Sequence, residues 1–173
     1  VENVLSALKY LPINYKFIYM GGIGLSDSDS YLKKIEKFIE KNGLKKRAFI
    51  TGFLAEEELA SYMKEVDIGL YVGKMKNNYA SGAINYFILN KVPTITSNIA
   101  NFKAMEKEFG CIKVIENPNN HKEFAKLIQN INSNTELKST LKSNCDKFAN
   151  ENTFGLFAKK NLDLIFDDNI KEN

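Results

Sequence analysis

The chain of 173 residues is 44% hydrophobic with a formal net charge of +3, which is enough apolar material for one sizeable core and too little charge bias to mark a nucleic-acid binder. A single histidine and two cysteines, Cys111 and Cys145, without C-x-x-C spacing, argue against a zinc site and read as buried, reduced thiols in a cytoplasmic protein. No apolar run approaches the ~20 residues of a membrane span, and no stretch has the layout of a secretory signal.

In chain order, Val4, Leu5 and Leu8 fall at helical spacing, and Pro12 ends that segment. Tyr15 to Met20 is the first strand and runs into Gly21-Gly22-Ile23-Gly24. Ser26 to Ser30 supplies N-cap candidates for a helix with Tyr31, Ile35, Phe38 and Ile39 on one face, closed by Gly43. The cluster Lys45-Lys46-Arg47 then reads as a solvated turn before the strand Ala48–Thr51, with Gly52 as its exit turn. Glu56, Glu57 and Glu58 complement the dipole of a helix whose inner face is Leu59, Tyr62, Met63 and Val66.

Asp67 to Val72 is the next strand. A polar segment through Asn78 leads to Tyr79-Ala80-Ser81-Gly82, a helical face of Ile84, Phe87 and Ile88, and the strand Pro93–Thr96. A short helix near 100–108 ends at Gly110, and Ile112–Ile115 is the last strand. Three helices follow: one from about Asn120, one capped by Asn134, and a C-terminal one over 153–168 with Phe157, Leu162 and Ile165 on its apolar face. Alternation of strands and helices predicts an α/β fold, a doubly wound parallel sheet of about five or six strands with helices on both faces. There is no internal repeat and no low-complexity linker.

Loops after strands are where a ligand is expected. Gly21-Gly22-Ile23-Gly24 lacks the full G-x-G-x-x-G spacing and any P-loop Lys-Ser or Lys-Thr pair, so it reads equally as a tight turn. Phe53, after Gly52, is placed either against a planar base or in the core. At Ser81-Gly82 small residues let helix-start amides approach an anion, although an ordinary serine N-cap explains the same pattern.

Taken in series, Lys16 to Gly24, Arg47 to Leu54 with Glu57-Glu58-Leu59, Tyr62 before Val66 to Leu70, and Ser81-Gly82 before Asn90 to Ile95 resemble the C-terminal, nucleotide-sugar-binding half of a GT-B glycosyltransferase of the group 1, family 4 type. The resemblance covers nearly the whole chain. It implies one Rossmann-like donor-binding domain over residues 1–173, beginning after its usual first strand and lacking the N-terminal acceptor domain. The opening Val1-Glu2-Asn3, without an initiator methionine, fits part of a longer protein.

The implied activity is retaining transfer of a hexose from a UDP- or GDP-hexose in surface or capsular polysaccharide synthesis. It implies no metal, no cofactor and no nucleic acid, a cytoplasmic location, and peripheral association of the full-length protein with the inner membrane face. Carried over by position, Gly22 and Gly24 border the donor cleft, Gly52 and Phe53 neighbour the base, and Ser81, Gly82 and Ala83 offer amides to the diphosphate, with Asn78 and Tyr79 in the loop before them.

The sequence departs from the family where two spaced glutamates are expected, because those positions fall near Asn78 and Tyr86. An asparagine can hydrogen-bond a sugar hydroxyl without supplying charge, and Tyr86 either touches a ribose or lies on the helix surface. Lys74 and Lys76 are the nearest basic residues, and His121 reads as an exposed or capping residue rather than a catalytic one. The alternatives are a catalytically inactive glycosyltransferase-like binding or assembly module, and an unrelated Rossmann-like nucleotide-binding protein.

Overall fold

The computed structural model describes residues 1–21, 28–73, 81–153, 155, 156, 158, 159 and 162. The elements run α1 (Glu2–Leu8), β1 (Phe17–Met20), α2 (Ser28–Lys41), β2 (Ala48–Gly52), α3 (Glu56–Glu65), β3 (Gly69–Tyr71), α4 (Gly82–Leu89), β4 (Thr94–Ser97), α5 (Ala100–Phe109), β5 (Ile112–Ile115), α6 (His121–Ser133) and α7 (Thr135–Glu151). All strand pairings between these elements are parallel, as the alternating pattern requires.

The expected single sheet is divided. β1 pairs with β2 and β3-β4-β5 form a second group, so β1 and β3 each present a free edge to the other among the described residues. Two strands are also shorter than the apolar runs suggest. Tyr15 stays out of β1 because its carbonyl accepts from the Arg47 guanidinium and its hydroxyl from Asn132. Asp67 precedes β3 and takes an ion pair from Lys138 at 2.6 Å.

Helix ends follow local chemistry. The Asn120 side chain accepts from the Glu123 N–H and donates to the Glu123 carboxylate, and Asn134 accepts from the Leu137 N–H at 2.9 Å. Gly110 closes α5 in a left-handed conformation, φ +62°, and its carbonyl accepts from the Asn144 side chain. His121 is therefore the residue after a cap, with Nε2 3.3 Å from the Asn3 side-chain oxygen. Of the C-terminal helix over 153–168, positions 155, 156, 158, 159 and 162 are helical; Phe157 and Ile165 lie outside the described residues.

Two apolar clusters cover the two faces. One packs Leu5 and Leu8 of α1, Ile35 of α2, Ile95 of β4, and Phe124 and Ile128 of α6, with Ile68 and Leu70 against them. The other packs Ile84 and Ile88 of α4, Phe102 of α5, Cys111, Ile112 and Cys145, with Tyr71 beside them. Each such side chain contributes about 1.5–3 kcal/mol by leaving water. Burial pushes the Cys111 thiol up to about 11 and that of Cys145 up to about 12, so both are protonated in the core.

Arg47 corrects the expectation of a solvated basic turn. Only 9% exposed, it donates to the carbonyls of Leu11 (3.1 Å), Pro12 (2.8 Å) and Tyr15 (3.1 Å). The irregular stretch between α1 and β1 has no ladder to satisfy these oxygens, and a planar donor fork meets several at once.

Candidate functional site

In a parallel sheet all strands end at one edge, and the chain there turns into helix N-termini. Here the order of strands reverses between β1 and β3: β2 lies to one side, β4 and β5 to the other. Such a reversal splays consecutive loops apart and leaves a crevice at the carboxyl edge.

The crevice is built from fixed backbone. Gly21, at φ +118°, donates to the Gly52 carbonyl at 2.9 Å, and Gly52 itself adopts φ +72°. These conformations suit glycine and tie the ends of β1 and β2 together. Thr51 reinforces the tie by donating its hydroxyl to the Tyr19 carbonyl of β1 at 3.4 Å, the hydroxyl oxygen also lying 2.9 Å from the Gly52 carbonyl. Phe53 follows and is 87% exposed, so its ring is a free apolar plane and not the core aromatic considered above.

On the other side, Gly73 after β3 is clasped by Ser97 at the end of β4. The Gly73 N–H donates to Ser97 Oγ at 2.9 Å, and Ser97 Oγ donates to the Gly73 carbonyl at 3.0 Å. This clasp is absent from the sequence reading; the only trace is a serine closing the otherwise apolar and threonine-rich β4. Ser81 is the N-cap of α4, its Oγ accepting from the Ile84 N–H at 3.4 Å. That is the ordinary capping role, and it coexists with an anion-binding one, because the N–H groups of Gly82 and Ala83 in the first turn have no intrahelical acceptor. A methyl group built on Gly82 meets no atom of the described residues within 4 Å.

The expected site residues thus divide by place. Gly52 and Phe53 end β2, and Ser81, Gly82 and Ala83 open α4, at the same sheet edge. Tyr86 is a turn further along α4, half-buried, and lines with Ala83 a cavity between β1 and β3. Gly22, Gly24, Asn78 and Tyr79 lie outside the described residues, as do Lys74 and Lys76. Among the described residues no cluster of His, Cys, Asp or Glu is arranged to hold a metal ion, and no helix is long and apolar enough to cross a membrane.

Parallel strands with helices on both faces and a crevice at the order reversal define a Rossmann-like α/β domain. The chain belongs to the glycosyl transferases of group 1, whose family profile matches residues 1–148. Its fold is that of GT-B glycosyltransferases. Anabaena Alr3699/HepE, solved in complex with UDP-glucose, superposes with a TM-score of 0.80 at 17% identity, over 96% of this chain and 44% of that one. A glycosyltransferase from Rickettsia africae gives 0.75 at 19% identity, over 94% of this chain and 41% of that one. The C-terminal domain of LpcC, a group 1 family glycosyl transferase from Francisella tularensis, gives 0.59 at 15% identity, and there the coverage is 92% of each chain. The chain therefore spans less than half the length of HepE and nearly all of the LpcC domain. No curated protein matches it.

Proposed function

We propose that residues 1–173 form the donor-binding domain of a retaining glycosyltransferase that takes a UDP- or GDP-hexose. The observation that carries this reading is the serine-capped start of α4 at the carboxyl edge, beside the crevice where the strand order reverses. The Gly82 and Ala83 amides face the diphosphate, and Ser81 holds the helix start in place. Phe53 and Gly52 flank the base, Gly22 and Gly24 border the cleft, and Asn78, Tyr79 and Tyr86 line the sugar and ribose side. HepE binds UDP and UDP-glucose on the same fold, which supports the ligand class.

Chemically, such a site does its work by fixed dipoles. As the glycosidic bond to the diphosphate breaks, negative charge grows on the leaving oxygen, and preorganised N–H donors stabilise it without reorganisation. The acceptor and the remaining catalytic groups come from a second domain of the full-length protein, which acts at the cytoplasmic face of the membrane in polysaccharide synthesis. Loss of the paired glutamates at Asn78 and Tyr86 keeps an inactive binding module as the competing reading.

The test is titration of the chain with UDP- and GDP-hexoses, followed by Gly82→Asp. Binding raises stability by about 2.7 kcal/mol at a hundredfold excess over Kd. Because a Cβ at position 82 meets no atom of the described residues, Gly82→Asp is expected to leave the ligand-free melting temperature little changed while weakening binding at least about tenfold through charge repulsion. No thermal shift with any sugar nucleotide sinks the reading. Binding without transfer by the full-length enzyme would favour the inactive module.

A further inference from the structure

The outer strands of the two groups, β2 and β5, treat their free edges differently. β5 carries Lys113 at its centre, ion-paired with Glu106 at 3.1 Å, and a charge within an edge strand deters pairing with another strand. β2 carries neither charge nor proline. We propose that the β2 edge joins two copies of this chain, each β2 pairing antiparallel with the other about a two-fold axis at Ile50.

The backbone supplies the first argument. The Phe17 N–H bonds the Arg47 carbonyl, and successive residues of a strand turn their backbone groups to opposite sides, so Phe49 serves β1 while Ile50 turns outward. Among the described residues no turn, loop or side chain bonds the Ile50 N–H or carbonyl. In an antiparallel pair, opposite residues of the closely spaced kind exchange both bonds. Ile50 of one copy against Ile50 of the other meets that pattern and the symmetry of a self-complementary contact together.

Exposed apolar side chains are the second argument. Ile13, Phe49 and Phe53 are 80%, 42% and 87% exposed, and all three lie along this edge. Phe53 follows β2 directly. Ile13 stands at the opposite end, next to Pro12, whose carbonyl accepts from the side chain of Arg47, the residue before β2. With the axis at Ile50, Arg47 of one copy falls opposite Phe53 of the other, which brings Ile13 beside that ring, and Phe49 falls opposite Thr51. A ring has two faces, so contact with Ile13 on one leaves the other for a base.

Charge is the third argument, and it selects a second copy as the occupant. The segment is basic ahead of β2, with Lys45 and Lys46, and acidic behind it, with Glu56, Glu57 and Glu58, all of them exposed. Lys45 is taken by Glu40, and Glu58 by the Ala55 N–H. Lys46, Glu56 and Glu57 make no ion pair among the described residues. Reversal of direction across the axis sets the basic end of each copy beside the acidic end of the other, at both ends of the contact. A parallel approach sets like charge against like, so the same residues fix the direction of pairing.

Sedimentation equilibrium over a concentration series tests this. The chain is expected to form dimers, which Phe49→Lys weakens at least about tenfold by placing two like charges near the axis. One variant carries Lys46→Glu, and a second carries Glu56→Lys with Glu57→Lys. Each alone is expected to self-associate at least about threefold more weakly than the parent chain. An equimolar mixture of the two is expected to recover the parent's association, because every end of the contact again joins opposite signs. The Ile50 amide should exchange more slowly as protein concentration rises, while the amides of β5 keep their rates. A chain that stays monomeric throughout the series overturns the proposal. So does a dimer indifferent to Phe49→Lys, or a pair of charge variants that fails to recover on mixing, since association then uses another face.

Discussion

The two strand groups are held in place by different means. In β3-β4-β5 the central strand is sealed, with Thr94, Ile95 and Thr96 at 0% exposure and apolar clusters on either face. In β1-β2 every residue of β1 is only half-buried, and polar contacts do much of the fixing: the Arg47 fork to three carbonyls, and the Glu2 bonds that tie α1 to α2. The difference teaches where apolar packing suffices and where it has to be supplemented. A strand with neighbours on both edges buries itself, whereas one beside an open slot depends on oriented donors.

The largest expected effect breaks the weaker group. Arg47→Ala removes the guanidinium donor from the Leu11 and Tyr15 oxygens and leaves the Pro12 oxygen with the Tyr15 N–H alone, and should cost about 3 kcal/mol in urea unfolding. Exchange should quicken first at Ile18, and Arg47→Lys should recover only part, since an ammonium lacks the planar fork. A loss spread evenly over β1 and β4 would erase the contrast between the groups. In the stronger group, packing is the vulnerable term. A methyl group on Gly69 meets the Phe87 ring at 2.7–2.8 Å, so Gly69→Ala should cost about 1–3 kcal/mol. Combined with Phe87→Leu it should cost less than the sum of the two single changes, as expected for residues sharing one space.

Most of the element order is readable from sequence because caps and periodicities are local. Asn120, Asn134, Ser81 and Gly110 act within a few residues of the helix ends they mark. Strand pairing is not local, so an even alternation of strands and helices predicted one sheet and could not show that β1 and β3 lack a common neighbour. Arg47 was misread for a related reason: a basic triplet at a turn has the same pattern whether its last residue points outward or inward. The useful signal was the irregular run from Leu11 to Asn14, whose carbonyls need donors from somewhere. At the candidate site, the Ser81 cap was legible as a cap, whereas the exposure of Phe53 and the half-buried face of Tyr86 depend on packing that spacing does not encode.

The Glu2 contact sharpens the account of the weaker group through pH. Burial pushes the carboxyl upward, but hydrogen bonds from Lys34 and its own backbone N–H, the positive charge of the Val1 amino group and a hydrogen bond from Tyr31 outweigh it and hold the group at about 2 rather than 4.5. A folded value below the unfolded one means that the stabilisation is present above about pH 5 and is lost as pH falls toward 2. Glu2→Gln should therefore cost about 1 kcal/mol at neutral pH, modest because the side chain is 32% exposed. The difference from the parent chain should vanish in acid. A difference that persists at pH 2 would assign the effect to packing instead of charge.

The smallest effect lies in the sealed strand and is the most discriminating. Thr94 and Thr96 are two apart on β4, on the same face and equally buried. Thr94 Oγ1 donates to the Val92 carbonyl at 2.8 Å, while Thr96 Oγ1 has no partner among the described residues. Nearly isosteric replacement by valine removes a made bond in one case and a desolvated orphan in the other. Thr94→Val should therefore destabilise by about 1 kcal/mol and Thr96→Val should be neutral or stabilising by up to about 1 kcal/mol. Opposite signs in paired unfolding curves would show that β4 is held by burial, with each polar group counted separately. Equal losses at both positions would mean that Thr96 has a bonding partner, and that the sealed strand relies on polar contacts as β1 does.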